Sequence, residues 1–187
     1  MKMFRLLINV LFFSLIISSC NKDNYDACEV LDCGVGYCAD GRCQCPKGFY
    51  GERCLQNHAP KAVLVEKVEV IRFPNKRVDC TTWDSLDNPD LHLTIYQSFN
   101  KIWISSTSIQ NADSSITHSF NVSPLARLEE MDLRYTISLY DDDGSKVDEF
   151  MGGALFYPYD EEKRLVSTKI VDNDGFVAFK LYLKYEF

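Results

Sequence analysis

A chain of 187 residues with 46% hydrophobic and 25% charged side chains is too apolar for a disordered protein and long enough for one sizeable core plus a small module. Its net charge of −7 leaves no basic stripe to meet a phosphate backbone, so nucleic acid is excluded as a natural partner. The first element is an export signal: Lys2 and Arg5 give a positive start, Leu6 to Ile17 form an apolar run, and Ser18 and Ser19 follow. That run falls short of the ~20 residues a bilayer-spanning helix needs.

The tetrad Ile17-Ser18-Ser19-Cys20 resembles the lipobox of bacterial lipoproteins. The resemblance implies that residues 1–19 are removed and that Cys20 carries fatty acyl chains of the palmitate type, which anchor the protein to a membrane. Each buried methylene adds about 0.8 kcal/mol, so several chains hold where one does not. Cleavage takes two of the 20 basic residues, Lys2 and Arg5, and makes the mature chain still more acidic. Residues 20–27 form a tether. Asn21 resembles the sorting signal for release to the outer membrane, and Lys22, Asp23 and Asp26 resemble the charged tether used for surface display. The expected location is therefore the cell envelope, at the outer membrane or cell surface.

Six cysteines follow in the order Cys28-x4-Cys33-x4-Cys38-x4-Cys43-x-Cys45-x8-Cys54, a density that in an exported segment means disulfides. Six thiols allow 15 pairings. The ending Cys43-Gln44-Cys45-Pro46-Lys47-Gly48-Phe49-Tyr50-Gly51-Glu52-Arg53-Cys54 resembles the terminal hairpin of EGF-like domains. The resemblance covers residues 28–54 and implies the pairs Cys28–Cys38, Cys33–Cys43 and Cys45–Cys54. A unit this small needs such cross-links, each typically contributing 2–4 kcal/mol. Its loop Ala39-Asp40-Gly41-Arg42 reads as a plain turn, and no calcium site is carried over to this module. Cys80 stands apart and is expected to be a buried, inert thiol, with an intermolecular disulfide as the alternative.

Residues 55–62 are a polar linker, and residues 63–187 then alternate with period two. Candidate strands are Val63–Phe73, Asp90–Ser98, Lys101–Thr107, Ile116–Val122, Leu133–Leu139, Glu149–Phe156, Arg164–Asp172 and Val177–Phe187. Leu125–Met131 is expected to make one or two helical turns. The fold class is mainly β: a disulfide-rich EGF-like module followed by an eight-stranded antiparallel sandwich.

Two acidic loops narrow the family. The segment Leu139-Tyr140-Asp141-Asp142-Asp143-Gly144-Ser145-Lys146-Val147-Asp148-Glu149-Phe150-Met151-Gly152 resembles the third calcium-binding loop of the C-two (C2) domain, the calcium and phospholipid module of protein kinase C and synaptotagmin. Asp84-Ser85-Leu86-Asp87-Asn88-Pro89-Asp90-Leu91 resembles that family's first loop. The resemblance implies a C-two-like sandwich over about residues 63–187 and calcium ligands at Asp84, Asp90, Asp141, Asp143 and Glu149, with Asp148 as a substitute. Clustered carboxylates suit calcium, which takes six to eight oxygen ligands. The chain departs from the family where Asp-Pro-Tyr becomes Pro-Asp-Leu, where the last acid is Glu, and where no lysine-rich strand is found. The competing reading of Asp141-Asp142-Asp143-Gly144 is a solvated turn without an ion.

The favoured function is a non-enzymatic, membrane-anchored binding or adhesion module for a protein or glycan, with calcium at the sandwich loops as the cofactor that the C-two resemblance implies. Trp83, Trp103, Tyr157 and Tyr159 are candidate contact aromatics near loops or strand ends. A structural accessory subunit of an envelope complex is the alternative. No catalytic residue is identified: His58, His92 and His118 are scattered, and the carboxylate pairs Glu129-Glu130 and Glu161-Glu162 carry no sign of glycosidase spacing.

Overall fold

The computed structural model describes residues 27–84, 87–144, 147–159 and 165–187. The signal segment, the lipobox with Cys20, most of the tether, and Glu161 and Glu162 lie outside the described residues. The described residues form strands joined by turns and loops, and among them no helix is long and apolar enough to cross a membrane. The described residues divide into two compact units, residues 27–45 with Gly51–Leu55, and Pro46–Tyr50 with the described residues from Gln56 to Phe187.

In the first unit, β1 (Tyr37–Ala39) and β2 (Arg42–Gln44) form an antiparallel pair. Ala39 pairs with Arg42, so Asp40 and Gly41 alone make the turn. Both have positive φ, 51° and 71°, the left-handed pair that suits an Asp-Gly hairpin with native twist. Disulfides join Cys28 to Cys38, Cys33 to Cys43 and Cys45 to Cys54, with Cα separations of 5.5, 5.3 and 5.3 Å. Arg53 adds an ion pair to Asp32 on the surface.

The second unit opens with the pair β3 (Phe49–Tyr50) and β4 (Gln56–Asn57). Eight longer strands follow: β5 (Ala62–Arg72), β6 (Leu91–Gln97), β7 (Asn100–Ile104), β8 (His118–Leu128), β9 (Tyr135–Asp141), β10 (Glu149–Phe156), β11 (Thr168–Asn173) and β12 (Val177–Glu186). They make two four-stranded antiparallel sheets, ordered β10-β9-β6-β7 and β11-β12-β5-β8. Alternate side chains meet in a shared core: Leu91, Leu93 and Ile95 from β6, Ile137 and Leu139 from β9, and Phe179 and Leu181 from β12 are all buried. Burying such side chains contributes roughly 1.5–3 kcal/mol each.

Two strands change phase in ways simple alternation does not anticipate. In β5, Val63 and Val65 face inward, and then Val68 and Val70 do; a bulge between Val65 and Lys67 absorbs the extra residue. Opposite it, pairing with β8 stops at Asn121 and resumes at Ala126. Pro124, which has no N–H to give a ladder, sits in that interruption after a cis Ser123–Pro124 bond.

Several expectations are corrected. Leu125–Leu128 is not helical but the end of β8, because Ala126 and Leu128 fill the core at strand spacing while Ala126–Leu128 pairs with Val63–Val65. Ile116 and Leu133 are exposed rather than the first inward residues of their strands, since each precedes the point where pairing begins. Cys80 is exposed, in the loop between β5 and β6. Trp83, Trp103 and Tyr159 are buried and offer no contact surface. Trp83 is held inward by donating its indole N–H to the carbonyl of Pro74 at 2.8 Å.

Candidate metal centre

The site forms where β6 begins and β9 ends. These strands are antiparallel neighbours with Leu91 opposite Asp141, so the loop before β6 and the loop after β9 emerge together. β10 returns beside β9 with Glu149 opposite Asp141, which brings a third acid to the same end. Asp141 follows Tyr135, Ile137 and Leu139 on the inward parity of β9, so its carboxylate is turned into the sandwich and is fully buried, at 0% exposure.

Its two oxygens have different surroundings. Oδ1 accepts the backbone N–H of Asp90 at 2.7 Å, while Oδ2 is buried with no hydrogen-bond partner. A buried charged oxygen left this way is costly unless something positive meets it. Carboxylate oxygens of Asp141, Asp143 and Glu149 lie within 4.8 Å of one another. Beside them opens a cleft of about 410 Å³ lined by Asp84, Asp87, Asp90, Gln110, Asp142, Asp143 and Gly144. Backbone bonds fix the loops: Asp142 N–H donates to Asp90 O at 2.7 Å, and Asn111 N–H donates to Asp90 Oδ1 at 2.7 Å.

Of the acids named from the sequence, Asp141, Asp143 and Glu149 are brought together, and Asp84 and Asp90 line the adjoining cleft. Asp148 is turned elsewhere, its carboxylate 3.6 Å from His92 Nε2. Asp142 Oδ1 accepts the N–H of Gly144 at 3.0 Å and closes the turn. Asp87 and Gln110 are additional lining residues. Asp87 belongs to the acidic first loop and was within reach of sequence reasoning. Gln110 arrives on the β7–β8 loop, held by the exchange of bonds between Leu91 and Ile109, and no local pattern signals it.

Burial pushes the Asp141 carboxyl up to about 6; the Asp90 N–H opposes this, and the nearby charges of Asp84, Asp143 and Asp90 add to it. A cation enters the same neighbourhood from the chain itself. Arg77 pairs with Glu149 Oε2 through Nε, at 3.0 Å, and Nη2. The histidines have other settings: His92 stacks on Tyr140 and is held below its usual pKa by burial, His118 Nε2 lies 2.8 Å from Asp113 O, and His58 stacks on Tyr50.

The donors fit a hard divalent cation. They are all oxygens, two loops and a strand end supply them, and one is buried without a partner, whereas zinc sites are built mainly on cysteine and histidine. Calcium held here would take oxygens from Asp141 and Asp143, with Asp84 and Asp90 across the cleft.

No protein-family model matches the chain, and no curated protein matches it. Solved structures do. The chain is similar to a structure described as a C2 domain, at 11% identity over 65% of this chain and 96% of that one, with a TM-score of 0.43. It is also similar to a C2 domain of plant extended synaptotagmin 1, at 17% identity over 70% of this chain and 99% of that one, TM-score 0.41. Human GIVD cytosolic phospholipase A2 is similar at 15% identity over 66% of this chain but 17% of that one, TM-score 0.42. These are likenesses of fold.

Proposed function

We propose that this chain is an exported, lipid-anchored binding module of the bacterial envelope whose sandwich holds calcium at the acidic end and presents the surrounding loops to a ligand. One observation carries the reading: Asp141 buries a carboxylate oxygen that no hydrogen bond satisfies, beside Asp143 and Glu149 and next to a cleft lined by acids. A divalent ion bound there offsets the mutual repulsion of these groups and joins loops that the fold brings to one end. The lipobox residues up to Cys20 support the anchor, and the six thiols paired in the first unit suit an oxidising exterior.

Calcium titration of soluble residues 21–187, followed by melting temperature, tests the ion site. The expected result is a rise of several degrees at saturating calcium that Asp141→Asn with Asp143→Asn abolishes. No shift at millimolar calcium removes the reading. The anchor is tested separately by fatty-acid labelling and membrane fractionation of the full chain, with Cys20→Ser expected to lose both label and membrane association.

A further inference from the structure

The acidic end already contains a cation supplied by the chain. Arg77 lies in the loop between β5 and β6, where its own N–H bonds Thr81 O at 2.9 Å and its carbonyl accepts from Cys80 N–H at 3.0 Å. A guanidinium has five N–H donors, and here all five are engaged. Nε and one N–H of Nη2 go to the same oxygen, Oε2 of Glu149. The second Nη2 donor bonds Trp83 O at 2.7 Å, and Nη1 bonds Thr82 O and Thr81 Oγ1. The guanidinium also sits over the Trp83 ring, 5.3 Å from its centre. One side chain thus ties the carbonyls that lead into Asp84 to the acid that opens β10.

We infer that Arg77 is a tethered competitor for the cation site: without an ion it neutralises the Glu149 corner, and calcium takes that corner only by displacing it. This rests on the calcium reading above. Glu149 shares a 4.8 Å cluster with Asp141 and Asp143, so a divalent ion seated there stands close to the guanidinium and is repelled by it. The bonds from Arg77 to Thr81, Thr82 and Trp83 lie within its own loop. Displacement needs only a rotation of the Arg77 side chain off Glu149, while buried Trp83, bonded to Pro74, holds the loop and Asp84 in place, so the strand framework need not change. Arg77 therefore lowers calcium affinity and makes Glu149 the last acid to join the ion.

Isothermal titration of calcium into the full chain, wild type against Arg77→Gln, tests this. The expected result is roughly tenfold tighter binding in Arg77→Gln, from removing a unit charge beside a divalent ion in a partly solvated site. Arg77→Lys, which keeps the charge, should stay within about threefold of wild type, and Arg77→Met provides a neutral variant if the glutamine protein folds poorly. Unchanged or weaker binding in the neutral variants, with wild type binding normally, overturns the role of Arg77 and leaves the ion site standing. Absence of calcium binding in every variant overturns the ion site, and this inference with it. A wild type too weak for calorimetry but still stabilised by millimolar calcium, beside a neutral variant whose binding is measurable, supports the inference. In EDTA the pair is read without calcium: Arg77→Gln should lower the melting temperature more in the Glu149 background than in Glu149→Gln, where only its bonds within the loop are lost, whereas equal losses in both backgrounds would show that Arg77 does not neutralise Glu149.

Discussion

Replacing Asp141 by Asn tests whether the buried acid is a liability that the fold tolerates for an ion. The change is isosteric and keeps the oxygen that accepts the Asp90 N–H, so the local ladder survives. A carboxyl raised from 3.8 to about 6 carries, at neutral pH, roughly 3 kcal/mol of unfavourable charge at most. The new amide puts neutral N–H groups in place of the unpartnered oxygen, near the carboxylates of Asp143 and Glu149, so a gain of about 1–3 kcal/mol is expected in EDTA. For a sandwich of this size that is about 3–10 °C in melting temperature. In calcium the order reverses: wild type gains about 4.1 kcal/mol at one thousand times its Kd, and the Asn protein gains little. Scanning calorimetry of both proteins in EDTA and in saturating calcium should therefore show their melting temperatures crossing. An Asn variant that melts below wild type in EDTA would refute the reasoning, because the charge would then be stabilising without an ion.

The same carboxyl gives a pH signature. Its folded pKa lies above the unfolded value, so the folded state retains the proton and the penalty develops as pH rises from about 4 through about 6. Buried His92, held below its usual pKa, pulls the other way by destabilising the fold as pH falls below about 6.5, so the measurement must be a difference. In EDTA the gap in melting temperature between Asp141→Asn and wild type should be full at pH 7.5 and close toward pH 4; a gap independent of pH contradicts the assignment. Gly152→Ala probes the bulge that begins β10: φ there is +155°, and a Cβ would lie 2.6 Å from Cγ1 of buried Val177. A loss of about 1–3 kcal/mol is expected in denaturant titration, and unchanged stability would mean that the bulge relaxes freely.

Much of the sandwich is written in local parity. Val177, Phe179, Leu181 and Leu183 alternate in the sequence and all are buried in β12, and the range Glu149–Phe156 is the observed β10. Parity fails where pairing interrupts it. The phase change of β5 depends on how β8 lies against it, and Ala126 with Leu128 belongs to a strand only because Val63–Val65 is available as a partner. Exposure of Cys80 and burial of Trp83 were equally out of reach, since both depend on how one loop folds back, with Trp83 bonded to Pro74 and Arg77 to Thr82. The acids of the candidate site were visible as short runs, but their neutralising partner was not: Arg77 and Glu149 are 72 positions apart, and neither is marked by its neighbours.

The most informative local signal for the site was the parity of one residue. Tyr135, Ile137, Leu139 and Asp141 occupy the same face of β9, so a strand that buries its odd positions must also bury a carboxylate. A solvated turn would place its acids where water satisfies them; Asp142 and Asp143, after the strand ends, are half-buried, whereas Asp141 is fully buried. The period that makes β9 a strand thus separates a buried acid with an unmet oxygen from the turn acids beside it. Antiparallel pairing with β6 and β10 then brings Asp90 and Glu149 to the same end, so the register that closes the core also assembles the charge. An ion there would be held by the fold's own alternation and by neighbours the sheet cannot avoid.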